Sequence, residues 1–130
     1  MRQTRGVLAV LGCTLLVLAG CGAGAKQEKM LDDKLALVKE INAAFDTVKD
    51  SKSADDAKGK LDSLLTRMKT MSEEGAKLPP IDDKQKELQD KYNKELKPEL
   101  TKLGVHVVDC MAYDSLNLVV RGYLEALKKF

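Results

Sequence analysis

The chain has 130 residues, 44% of them apolar, with no Trp, three Tyr and two Phe, so it makes at most one domain whose core must be filled by Leu, Val, Ala and Met, which suits packed helices better than a β-sandwich. The formal net charge of +2 comes from Arg2 and Arg5 alone, because the residues from 21 onward carry 20 basic and 20 acidic side chains. A neutral chain of interspersed sign lacks the basic face needed to neutralise phosphates, which excludes nucleic acid as an expected partner.

Two arginines in MRQTR precede Val7 to Ala19, an uncharged stretch of 13 residues. At 1.5 Å per residue such a helix spans about 20 Å, well short of the roughly 30 Å hydrocarbon core, so residues 1–20 read as an export signal rather than a permanent span. The stretch ends at Leu18-Ala19-Gly20-Cys21. This quartet resembles the lipobox of bacterial lipoproteins, in which a peptidase recognises Leu, a small residue, and Gly or Ala, cuts before the Cys, and leaves that Cys acylated. The resemblance implies lipidation at Cys21, peptidase recognition by Leu18, Ala19 and Gly20, and attachment to membrane lipid. Small residues at 19 and 20 suit close approach of a peptidase to the backbone, and a thiol is a good nucleophile for the lipid donor. Val10-Leu11-Gly12-Cys13 is a looser version, with bulky Leu11 where a small residue is preferred and too short an apolar run before it. Two or more acyl chains hold a protein on a bilayer durably, whereas one does so only marginally. Gly22, rather than Asp, after the Cys resembles an outer-membrane address, with the domain facing the periplasm or the cell surface. Residues 21–27 then read as the lipidated Cys and a flexible tether, and residues 28–130 as the folded domain.

From residue 28 the apolar period is helical. Leu31, Leu35, Val38, Ile41, Phe45 and Val48 form one stripe of a helix over about 27–50. Ser53, with Asp56 three residues on, is the expected N-cap of a second helix whose inward stripe is Ala57, Leu61, Leu64, Leu65, Met68 and Met71, ending near Gly75 and the Pro79-Pro80 pair. A third helix is expected over about 81–103, with Ile81, Leu88, Tyr92, Leu96, Leu100 and Leu103 inward. Its solvent side carries the i,i+4 pairs Asp82 and Lys86, Glu87 and Lys91, and Asp90 and Lys94. Pro98 removes a backbone donor inside it and predicts a kink or restart, and Gly104 a break. A fourth, most buried helix is expected over about 107–128, with Val108, Met111, Ala112, Leu116, Val119, Tyr123 and Leu127 inward. The expected fold is all-α: an antiparallel bundle of about four helices, with a two- or three-helix hairpin that oligomerises as the alternative.

Chemistry-bearing residues concentrate in GVHVVDCMAYD. His106 and Cys110 are i,i+4 neighbours and the weak candidates for a metal site, but zinc wants three or four protein ligands and no CxxC or HxxxH spacing is present. The plainer expectation is a buried Cys110, a capping Asp109 and a loop His106. The sequence of two stripes, a short turn and paired prolines also resembles the four-helix b-type cytochromes of the periplasm. That family ligates haem through a Met early in the first helix and a His on the last; Met30 is a loose match and the last helix here has no His, so the methionines read as core and no cofactor is expected.

FDTVKDSKSADDAKGKLDSLLTRMK and PPIDDKQKELQDKYNKELKPEL together resemble uncharacterised small helical lipoproteins of environmental bacteria such as planctomycetes. The resemblance implies a helical fold and an envelope location, and no activity. The expectation is therefore a non-enzymatic, lipid-anchored structural or interaction module of the cell envelope, with an envelope protein or a second copy as partner. The alternative is a periplasm-facing bundle that binds haem, metal or a small apolar ligand.

Overall fold

The computed structural model describes residues 2–130, with side chains from residue 24 onward. Its elements are α1 (Arg2–Asp46), α2 (Ser51–Ala76), α3 (Lys86–Lys91), a π-helical turn (Tyr92–Leu96), α4 (Lys97–Asp109), two 3-10 turns (Cys110–Ala112 and Asp114–Leu116) and α5 (Asn117–Lys129). α3, the π turn and α4 run on as one helix, so the all-α expectation of a four-helix bundle holds, and no strand occurs among the described residues.

Asp50 terminates the first hairpin. Its carboxylate accepts from the Ser53 N–H (2.8 Å), while the Ser53 hydroxyl oxygen accepts from the Asp50 N–H (2.9 Å), a reciprocal capping box. The cap is thus Asp50 and not Ser53, and α2 starts three residues earlier than its sequence suggests. Taking Asp50 for α2 ends α1 at Asp46, with Thr47 Oγ1 donating to the Ala44 carbonyl (2.6 Å).

Consecutive helices alternate in direction, yet α1 packs on α2 and α4, and α5 packs on α2 and α4. The chain therefore crosses a diagonal between α2 and α3, and the neighbours α1/α4 and α2/α5 run parallel. Residues 77–85 make that crossing over the N-terminal part of the described bundle. Gln27 holds them there: its Nε2 donates to the Pro79 carbonyl (2.6 Å) and its Oε1 accepts from Gln85 Nε2 (2.6 Å). The stretch expected to be tether is helical over 24–27, and Gln27 is only 5% exposed. Ala25, Lys26 and Gln27 are good helix formers that extend α1, and the buried Gln27 amide is satisfied by the crossing loop.

The core is filled by Leu37, Val38, Ile41, Phe45, Leu61, Met68, Leu96, Leu103, Val107, Leu116, Val120 and Tyr123, all fully buried. Phe45 and Tyr123 meet edge to face across it, centroids 5.3 Å apart. α5 comes closest to α2 at Gly122, where a Cβ would fall 2.4 Å from Leu65 Cδ2.

Five expectations for the C-terminal half need correction. Pro98 does not restart the helix: its missing N–H and its clash with the preceding turn are absorbed by a π turn within one continuous helix, with the Lys97 N–H donating to the Tyr92 carbonyl. Tyr92 is consequently turned outward. Gly104 does not break the chain, because α4 carries on through it to Asp109. The break comes at Cys110–Leu116, where extended Tyr113 separates the 3-10 turns and resets the helical phase. Val107 and Cys110 face inward while Val108, Met111 and Ala112 face out. A 13-residue α5 results, with four buried residues, a larger share than in α2 but a smaller one than in α1 from residue 24 onward, so it is not the most buried helix.

Candidate functional site

Three places on the molecule carry side chains that a core does not require. Leu18, Ala19, Gly20 and Cys21 lie outside the residues whose side chains are described. Among the described residues, no helix is long and apolar enough to cross a membrane.

The first place is the His106 region. His106 belongs to α4, not to a loop; its ring stacks on Phe45 (centroids 6.0 Å, interplanar angle 8°) and its Nε2 lies 3.0 Å from Asp46 Oδ1, without the alignment of a hydrogen bond. Lys102 Nζ takes the other oxygen of Asp46 at 3.5 Å. Asp46 is therefore shared between Lys102 and the His106 ring of the adjacent helix, an arrangement that joins α1 to α4. Cys110, one turn on, carries a free, buried thiol, and burial first, then the nearby Asp109 carboxylate, push its pKa up. That is the opposite of the environment that makes a nucleophilic thiolate. No group of three or more His, Cys, Asp or Glu is gathered to hold a metal among the described residues.

The second place is a cleft of about 390 Å³ beneath the crossing loop, lined by Met30, Leu31, Leu78, Pro79, Pro80 and Ile81, with Gln27 and Lys34 as its polar groups. Gln27 fixes the loop wall, as described above. The loop is further stiffened from within: Asp82 N–H donates to Gln85 Oε1 (3.0 Å) and Lys84 N–H to Asp82 Oδ1 (2.8 Å). Lys91 reaches back to Asp32 and, at 3.8 Å, Glu28 on α1, in place of the expected pair with Glu87. Lys34 Nζ donates to the Phe130 carbonyl (2.7 Å) and sits 4.5 Å from the centre of the Phe130 ring. Burial lowers its pKa, and among the described residues no side-chain carboxylate comes within ion-pair distance of it.

The third place is an exposed apolar face at the opposite end of the bundle: Val105 (57% exposed), Val108, Met111 and Leu118 (79%). The uninterrupted run of α4, which sets Leu103, Val107 and Cys110 inward, leaves Val108 and Met111 on its outer side.

Of the residues singled out in the sequence, Met30 lines the cleft, Met68 is core, Met71 is half-buried and Met111 lies on the exposed face. Lys34 and Gln27 were missed, although Lys34 had a signal. It falls three residues after Leu31 and four before Val38, on the inward stripe, where an unpartnered lysine is unusual.

The chain matches no family model, no curated protein and no solved structure.

Proposed function

We propose that this chain is a lipid-anchored lipoprotein of the cell envelope, held to membrane lipid through acylated Cys21 after removal of residues 1–20, and acting without catalysis as a structural or interaction module. The observation that carries the reading is Leu18-Ala19-Gly20-Cys21 at the end of a short uncharged stretch behind two arginines. An outer-membrane location facing the periplasm or cell surface belongs to the same reading, as does kinship with small helical lipoproteins. The exposure of Val105, Val108, Met111 and Leu118 supports an interaction role: large apolar side chains left in solvent are available to a contact surface, and these lie at the end of the bundle away from residue 24, where a partner, either another envelope protein or a second copy, has access.

Metabolic palmitate labelling of the intact chain and of Cys21→Ser tests the anchor. Label and membrane fractionation are expected to be lost in the variant; equal labelling of both chains sinks the reading. In-cell crosslinking from position 118 then identifies the partner.

The cleft beside Lys34 favours a second reading, a bundle that binds a small apolar ligand. Haem or metal binding draws no comparable support from the residues around His106 and Cys110.

A further inference from the structure

The cleft of about 390 Å³ lies in the size range of small-molecule sites. At the roughly 30 Å³ that a water-sized group occupies, about a dozen non-hydrogen atoms fill it. Its walls are unequal. Met30, Leu31, Leu78, Pro79, Pro80 and Ile81 present apolar surface, whereas charge enters at one point, the Lys34 ammonium.

That ammonium is half-buried, and its desolvation goes uncompensated by any side-chain carboxylate among the described residues. An ammonium has three donors, and the Phe130 carbonyl takes one. Gly75 stands against the Lys34 tip: a Cβ there would lie 3.5 Å from both Cε and Nζ and 3.7 Å from Met30 Sδ, so the small residue leaves the head of the cleft open. Of the other polar side chains, the Gln27 amide is bonded at both ends to the crossing loop. A ligand of this cleft therefore finds an apolar trough, a rigid wall and one cation with donors to spare.

We propose that the cleft between α1 and the 77–85 crossing binds a small apolar carboxylic acid, its carboxylate on Lys34 Nζ and its body against Met30, Leu78 and Ile81. A carboxylate makes charge-assisted hydrogen bonds with the two ammonium donors that the Phe130 oxygen leaves free, whereas a neutral ligand makes weaker ones and a strongly polar one would desolvate against the apolar wall. A medium-chain fatty acid has the required length and charge. The inference rests on the ligand-binding reading given above and narrows it to one chemical class.

The test uses the full chain in its native membrane and two photoreactive probes of ten carbons with a mid-chain diazirine, one ending in a carboxylate and one in an alcohol. Crosslinked peptides are mapped by mass spectrometry. The acid is expected to label the segments containing Met30–Lys34 and Leu78–Ile81 saturably, to be displaced by decanoate, and to label at least about tenfold more than the alcohol. Lys34→Met, which keeps an apolar stem, should lose that labelling, and Lys34→Arg should keep it. Gly75→Leu, placed on a helix with only ordinary contacts at its Cβ, should block the cleft while leaving thermal unfolding close to that of the parent. If acid and alcohol label the cleft equally and Lys34→Met changes nothing, carboxylate recognition is overturned and the broader ligand-binding reading stands. If neither probe labels the cleft, or if Gly75→Leu leaves saturable labelling intact, both fall.

Discussion

The Tyr123 hydroxyl donates to the Leu61 carbonyl across the α2–α5 interface at 2.5 Å, fully buried, and its ring meets Phe45 edge to face on the other side. A phenol so placed joins three of the four helices. Tyr123→Phe keeps the ring and removes the donor, so it should cost about 1 kcal/mol, or roughly 4–8 °C in Tm. Burial, and secondarily the Asp62 carboxylate, raise the phenol pKa far above its ordinary value. The protonated phenol thus stabilises the fold below the unfolded value, and that contribution is lost as pH rises above about 10. Cys110, also raised by burial, acts in the same direction from about pH 9. Chemical denaturation from pH 8 to 11 should therefore show a shallower alkaline loss in Tyr123→Phe than in the parent.

Gly122 is needed for contact, not for its backbone angle. Gly122→Ala improves helix propensity by up to about 1 kcal/mol but drives a Cβ to 2.4 Å from Leu65 Cδ2 in a packed core. Net destabilisation of about 1 kcal/mol is expected. In a double-mutant cycle with Leu65→Ala the second change should cost less than it does alone.

Asn42 is buried, with Nδ2 donating to the Glu99 carbonyl (3.0 Å) and to Glu99 Oε2 (2.9 Å), and with Oδ1 unpartnered. Asn42→Asp sets a buried carboxylate against both oxygens and should cost about 3 kcal/mol at pH 7. Burial and Glu99 raise the new carboxyl's pKa, so its penalty should shrink as pH falls below about 5, measured by urea unfolding at pH 7 and pH 4.5. Asn42→Leu should be tolerated far better.

The cap of α2 is decided by comparing Asp50→Ala with Asp56→Ala. Only the former removes an acceptor of the Ser53 N–H, so it should lower Tm by several degrees while Asp56→Ala leaves it nearly unchanged. The Ser53 backbone N–H holds the Asp50 carboxyl below its ordinary pKa. This contribution is present above the unfolded value near 4 and disappears as pH falls through the folded one.

Iodoacetamide should modify Cys110 slowly at neutral pH and promptly in urea, because the thiol is buried and its pKa raised. Met111, exposed one residue away, should be oxidised by dilute peroxide in the folded protein. Fast alkylation of native Cys110 would contradict its burial in the core.

The helical class, the first two inward stripes and a local irregularity at Pro98 were legible from spacing, because i, i+3, i+4 burial and a missing backbone donor are local facts. The resemblance of Leu18-Ala19-Gly20-Cys21 to a lipobox rests on the sequence alone. The tertiary structure alone decided the rest. Apolar residues such as Val108 and Met111 look core-forming in any helical phase, and the continuation of α4 through Gly104, with Leu103, Val107 and Cys110 inward, is what leaves them outside. Two helices joined by a short turn are bound to pack antiparallel, but the nine residues 77–85 reach either a neighbouring or a diagonal position. The diagonal is favoured where Gln27 can satisfy Pro79 and Gln85 and where Lys91 meets Asp32. That choice brings Lys34 and the Leu78–Ile81 loop, 44 or more residues apart in sequence, to the two sides of one cleft. Periodicity along the chain carries the faces of helices; it carries no information on which faces meet across a loop that crosses the bundle.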